Sequence, residues 1–301
     1  MQLLDRPAPA CIGSSVRGVV TPPRAAVGAL VGASHPVPSA AVTAFAVAVS
    51  VALGRSATGV VLVGLAVLAG QLSIGWSNDL LDRARDQVAH RPDKPLADGR
   101  VGTRTVTTAC AIAALACVPL SFASGAPAGA VHLVAVGGGW AYNLGLKRTL
   151  ASPLPFAVSF ALLTAFLTLG LPGAPWPQPW ALAAGALLGV GAHFLNVVPD
   201  VADDLEAGVR GLPQRLGARV AAVTGAALLA AACALVVLGP EGATPWWAWL
   251  GLAAALACAA AAAVLGTRSG PRSHSRGPFL LAVATAAIAV LMLVARGETL
   301  T

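Results

Sequence analysis

Nine of the 12 Asp and Glu residues lie in two short stretches: Asp79, Asp82, Asp86, Asp93 and Asp98 in the first, and Asp200, Asp203, Asp204 and Glu206 in the second. Within the first, Asn78, Asp82 and Asp86 recur every four residues with Asp79 close by, so a helix through them shows all four polar groups on one face. Asn196, Asp200 and Asp204 repeat the spacing, and Pro199 predicts a kink or a partly unwound turn among them. Two facing sets of carboxylates repel unless something positive lies between them. Oxygen-only donors suit Mg²⁺, a hard ion that binds through a few carboxylates and keeps waters and phosphate oxygens. No EF-hand spacing favours calcium, and no grouping of Cys or His favours zinc.

Cations are interleaved with these acids: Arg83, Arg85, Arg91 and Lys94 around the first stretch, Lys147 and Arg148 in a separate segment, and Arg210 and Arg215 around the second. Carboxylates, a divalent metal and cations together suit a diphosphate. Arg91, Lys94, Lys147 and Arg148 are read as diphosphate ligands, whereas Arg83, Arg85 and Arg210 are read as charges that set topology.

The two stretches are related by an offset of 118 residues, which pairs Asn78 with Asn196, Asp82 with Asp200, Asp86 with Asp204, Pro95 with Pro213 and Gly99 with Gly217. The match is imperfect, since Val197 stands opposite Asp79. It reads as an internal repeat. Four predicted helices separate the copies, and an even number preserves direction, so the repeat is parallel and its interface is a candidate site.

The elements that must carry these residues are hydrophobic helices. The chain has 301 residues, 57% hydrophobic and only 10% charged, with a mean hydropathy of +0.78. That is far from the roughly 25% charged content of soluble domains. Uncharged runs, divided at their Gly and Pro residues, give nine spans: 38–53, 58–77, 105–122, 127–146, 153–171, 178–198, 219–238, 246–266 and 278–296. The expected fold is an all-α bundle of nine transmembrane helices. Abundant Ala and Gly allow close approach of helices in lipid.

Positively charged loops stay cytoplasmic. With the N-terminus cytoplasmic, all of the 19 Lys and Arg residues except Arg55 and Arg296 fall on that side, together with both acidic loops. The net charge of +7 is thereby explained by topology and by contact with anionic lipid and phosphate, with no nucleic acid as partner. Residues 1–30, rich in Pro, Gly and Arg, read as a flexible cytoplasmic tail, and 31–301 as a single catalytic domain with active-site loops at 78–104 and 199–219. Cys110, Cys117, Cys233 and Cys258 read as small buried side chains. Tyr142, the sole Tyr, reads either as a ring that stabilises a cation or as an interfacial anchor. His193, one turn before Asn196, reads as a packing residue.

The first loop, Asn-Asp-Leu-Leu-Asp-Arg-Ala-Arg-Asp from Asn78 to Asp86, resembles the NDxxDxxxD signature of UbiA-type intramembrane prenyltransferases. The segments Arg91 to Gly99 and Tyr142 to Arg148 also resemble segments of that family, and Pro199 to Gly217 is similar to its DxxxD region. The resemblance covers roughly residues 30 to 296. It implies metal-diphosphate binding by Asn78, Asp82, Asp86, Asp200 and Asp204, with Asp79 supporting and Asn196 assisting. It implies diphosphate contacts from Arg91, Lys94, Lys147 and Arg148, and a prenyl tail in an apolar groove open sideways to lipid. The expected activity is Mg²⁺-dependent transfer of a prenyl group from an isoprenyl diphosphate to an aromatic or other lipophilic acceptor, at the cytoplasmic face of the plasma (inner) membrane. A terpene cyclase of the same superfamily uses the same loops. A secondary transporter also has paired repeats, but carries its charges at mid-membrane, whereas these acids sit at one face.

Overall fold

The computed structural model describes residues 23–88, 94–268, 275–296 and 300. Every regular element among them is helical. A short helix α1 (Pro23–Gly32) bends by 70° into α2 (Pro36–Ala52). At the bend His35 holds a left-handed φ of 54°, and Pro36, which has no N–H to satisfy, begins α2. There follow α3 (Ala57–Val88), α4 (Thr103–Phe122), α5 (Ala126–Leu144), a 3₁₀ turn at Leu146–Arg148, α6 (Leu154–Leu169) and α7 (Pro179–Val197). A second 3₁₀ turn at Val198–Asp200 leads to α8 (Val201–Glu206), α9 (Leu212–Leu216), α10 (Ala218–Leu238), α11 (Trp246–Arg268) and α12 (Gly277–Arg296).

Each of the nine predicted spans overlaps one helix of 16 residues or more. Six segments are long and apolar enough to cross a membrane on their own: α3, α4, α7 continued through α8, α10, α11 and α12. The bent pair α1 and α2 makes a seventh if counted as one span. Helix α6 is shorter, at 16 residues, and α5 is diluted by His132, Trp140, Tyr142 and Asn143. Of the segment expected to be a tail, residues 23–30 are helical in α1, and 1–22 lie outside the described residues.

Outward faces are apolar, as in Leu115 (73% exposed) on α4, Leu250 (62%) on α11 and Leu291 (65%) on α12. Water would penalise this many exposed aliphatics, whereas lipid accepts them. The chain is an integral membrane protein. Inside, small residues set the helix spacing. A Cβ on Gly191 of α7 would meet the Gly225 carbonyl of α10 at 2.9 Å, so the two backbones touch only because neither carries a side chain there.

The offset repeat is visible in the geometry. Gly99 and Gly217 close the corresponding loops with left-handed φ values of 77° and 81°. The copies differ where proline differs, since α3 runs unbroken for 32 residues while its counterpart unwinds at Pro199.

Candidate active site

The last three turns of α3 carry Asn78, Asp79, Asp82 and Asp86, and the three carboxylates are each only 2–3% exposed. Burying so many acids at one helix end is costly unless each gains cationic or hydrogen-bonding partners. Asp79 Oδ1 accepts a 2.7 Å bond from Lys94 Nζ and lies 3.1 Å from His35 Nε2, which is itself 3.0 Å from Lys94 Nζ. Asp82 is gripped on both oxygens by Lys147 Nζ, at 2.6 and 2.7 Å, and receives Arg85 Nη2 at 3.0 Å. The Arg85 Nε lies 3.6 Å from Asp86 Oδ1.

The second cluster approaches from the broken end of α7. Because Pro199 donates no hydrogen bond, the helix tightens into a 3₁₀ turn, and Asp200 and Asp204 emerge on either side of the start of α8. Asp204 Oδ2 accepts from Gln214 Nε2 at 2.9 Å, and its Oδ1 is 3.9 Å from Arg85 Nη1. Arg85 thus reaches acids of both clusters.

Lys147 arrives from the 3₁₀ turn after α5 and is 4% exposed. Burial draws its ammonium below the ordinary lysine range, and the Asp82 carboxylate pulls the opposite way. Asn78 is oriented through Asn143. Its Nδ2 donates to Asn143 Oδ1 at 3.1 Å, while Asn143 Nδ2 donates to the Ile74 carbonyl at 2.9 Å and Ser77 Oγ at 2.8 Å. Tyr142, partly buried, lies edge-on to Phe156 (5.0 Å) and His193 (5.4 Å). His193 stacks on Phe156 at 4.3 Å, with Nε2 3.5 Å from Ser152 Oγ, in keeping with a packing role.

The structure therefore gathers Asn78, Asp79, Asp82, Asp86, Lys94, Lys147 and Asp204 around one site, with Asp200 a turn away from Asp204. Asn196 and Arg148 are exposed, and Arg91 lies outside the described residues. Three participants escaped the sequence reading, His35, Asn143 and Gln214, and a fourth, Arg85, was read there as a charge that sets topology. A signal existed for His35, a His directly before the proline that opens the first span, on the same predicted side as the acids. Arg85, which faces Asp82, Asp86 and Asp204, looked in the sequence like one of many cytoplasmic arginines.

Among the described residues no group of three or more His, Cys, Asp or Glu side chains is close enough to hold a metal unaided. A hard divalent ion that takes substrate phosphate oxygens needs only one or two carboxylates. The donors here suit such an ion: all are oxygens, they come from two elements, and Asp79 Oδ2 is buried with no hydrogen-bond partner.

The model of the UbiA prenyltransferase family matches residues 37–283. Among solved structures, a UbiA homolog from Archaeoglobus fulgidus bound to GPP and Mg²⁺ superposes with a TM-score of 0.68 at 19% identity, covering 89% of this chain and 98% of that one. An apo UbiA homolog from Aeropyrum pernix K1 gives 0.67 at 18%, covering 86% and 97%. A digeranylgeranylglyceryl phosphate synthase gives 0.62 at 16%, covering 90% and 98%. No curated protein matches the sequence.

Proposed function

We propose that this chain, which belongs to the UbiA prenyltransferase family, transfers a prenyl group from an isoprenyl diphosphate to a lipophilic, aromatic acceptor within the membrane. The observation that carries the reading is the convergence of two acid clusters on one arginine, with Arg85 3.0 Å from Asp82 and 3.9 Å from Asp204, beside the buried Lys147. Acids and cations so interleaved at one end of a lipid-facing bundle suit a ligand with a diphosphate head and an isoprenoid tail. In support, the A. fulgidus homolog was solved with GPP and, separately, with DMAPP, each with Mg²⁺.

Asn78, Asp82, Asp86, Asp200 and Asp204 would hold Mg²⁺, with Asp79 supporting and Asn196 assisting. Bound there, the ion supplies a Lewis acid that stabilises the negative charge growing on the diphosphate as the allylic carbon–oxygen bond breaks. Lys94, Lys147, Arg91 and Arg148 bind the diphosphate oxygens. Arg85, reaching both clusters, keeps the acids from repelling one another before substrate arrives. Tyr142 and Phe156 present ring faces and edges where the allylic cation forms, and the apolar surroundings keep water from capturing it. In this reading the nine long helices all span the membrane, the N-terminus is cytoplasmic, and the site opens to the cytoplasmic side of the plasma (inner) membrane.

The test is product mass from the purified protein in detergent with Mg²⁺, geranyl, farnesyl and geranylgeranyl diphosphates, and pooled phenolic and quinone acceptors. The expected product is an acceptor heavier by one prenyl unit, lost on chelation with EDTA and lost in Asp82→Ala. A hydrocarbon or alcohol formed equally well without acceptor would replace transfer by cyclisation. Failure to consume any diphosphate would overturn the reading.

A further inference from the structure

The elbow that joins α1 to α2 sits against α3, just before its acid-bearing turns, and is fixed there at several points. Gly75 of α3 lies so close to the Ser34 carbonyl that a Cβ on it has no room. Trp76 Nε1 donates to the Leu30 carbonyl at 2.9 Å, using an acceptor left over in the last turn of α1. Leu96 is buried in one cluster with Ala29, Ala33 and Trp76, and a Cβ on Gly32 would meet Pro95 Cγ at 3.1 Å. The segment that begins at Lys94 is thereby held against α1 and α3.

His35, at the corner of this elbow, adopts a backbone conformation that its sequence opposes. Its φ of 54° and ψ of 64° are left-handed, where a Cβ crowds the following carbonyl, and a residue before proline is pushed toward extended geometry. Glycine or asparagine suits such a corner better. Strained backbone persists where the surrounding structure over-determines it, often at functional sites, so a histidine here calls for a reason beyond the turn.

The side chain supplies one. His35 Nε2 is 3.0 Å from Lys94 Nζ and 3.1 Å from Asp79 Oδ1, and Lys94 Nζ donates to the same Asp79 oxygen at 2.7 Å. An Nε2–H directed at Asp79 would meet the ammonium, which has only donors to offer. With Lys94 charged, Nε2 is therefore the acceptor, and the ammonium donates to His35 and Asp79 together. Two of its three N–H bonds are then directed by acceptors on separate elements. Asp79 alone would leave the ammonium free to turn on its flexible stem.

We propose that His35 is a positioning residue: it takes one Lys94 N–H, so that the remaining one is aimed at the diphosphate. The inference rests on the prenyltransferase reading, in which Lys94 is a diphosphate ligand. It gives the elbow a part in the reaction, since the contacts that fix Ser34 against α3 also fix the imidazole that steadies Lys94.

The experiment is equilibrium binding of radiolabelled geranyl diphosphate to the full-length protein in detergent with Mg²⁺. His35→Asn and His35→Gly suit the left-handed corner but do not reach Lys94, because an asparagine side chain ends near the place of Nδ1. His35→Gln suits the corner less well, yet its amide oxygen reaches the place of Nε2 and accepts from the ammonium. Asn is expected to weaken binding about tenfold, the loss of one hydrogen bond to a charged group, and Gln to recover most of it. His35→Gly serves if His35→Asn does not fold. A corner that matters only for its backbone gives the opposite order, with Asn and Gly intact and Gln impaired, and that order would overturn the proposal. So would unchanged affinity in all three variants, or equal loss in all three. In a Lys94→Met background His35→Asn should weaken binding no further; a second loss of about tenfold would show that His35 does not act through Lys94, and would overturn the proposal too. If the wild type binds no geranyl diphosphate, the prenyltransferase reading falls and the proposal with it, a result distinct from loss confined to the His35 variants.

Discussion

Lys147 and Asp82 illustrate what the site demands of single residues. Both are almost wholly removed from solvent, and the ammonium bonds both carboxylate oxygens within 2.7 Å. Such a pair is weak evidence of net stabilisation, because each charge lost its water on burial, but removing one partner strands the other. Lys147→Met is therefore expected to lower stability by about 3 kcal/mol, the low end for a broken buried pair, because Arg85 still holds one Asp82 oxygen. The double variant Lys147→Met with Asp82→Leu should recover most of that loss while remaining inactive. Thermal unfolding in detergent measures both, and a double variant no more stable than the single would show that the cost lies elsewhere. At this scale the acids were legible because their spacing is a property of the chain alone. Lys94 and Lys147 stood out beside them, but their uncharged partners did not. Asn143 and Gln214 are ordinary polar residues in sequence, and their roles come from helices that meet only after folding, with Asn143 joined to Asn78 across 65 positions.

Among the elements, the long helices were legible from uncharged runs, and the break at Pro199 from the missing N–H of proline. The bend between α1 and α2 was not, since it depends on His35 holding a left-handed backbone, which no local pattern announces. Arg55, one of two cations left on the far side by the charge distribution, has an element-level explanation. Half-buried in the turn before α3, it donates from Nη2 to the Gly170 carbonyl at 2.8 Å and from Nη1 to the Leu167 carbonyl at 3.3 Å. These are terminal acceptors of α6, where unsatisfied carbonyls and the negative end of the helix dipole favour a cation. Burial alone draws its guanidinium below the usual arginine range, so the carbonyls offset part of a real desolvation cost. Arg55→Ala should cost about 1–2 kcal/mol. Arg55→Lys should recover less than half, because one compact ammonium does not span two carbonyls as a planar fork does. The readout is the thermal midpoint, with diphosphate turnover at low temperature intact in both. Loss of turnover without loss of stability would mean that Arg55 acts on the site instead.

For the whole molecule, the decisive property is which end of the bundle faces the cytoplasm. The acid clusters, Lys94 and Lys147 all gather at the end that holds the cation-rich loops, and the far end carries Arg55 and the turn around Glu241. The proposed orientation follows from the rule that Lys and Arg near helix ends resist translocation, a property of insertion that the folded bundle by itself does not record. Two exposed positions separate the alternatives: Leu150, after α5, and Glu241, after α10. In a variant with Cys11 and Cys258 replaced by Ser, Glu241→Cys should react with a membrane-impermeant maleimide added to intact cells, and Leu150→Cys only after the membrane is opened. The reverse pattern would put the diphosphate site outside, away from cytoplasmic prenyl diphosphate, and overturn the orientation. Labelling of both positions in intact cells would mean that an odd number of crossings does not separate them, and with it that α6, α7 and α10 do not all span the bilayer.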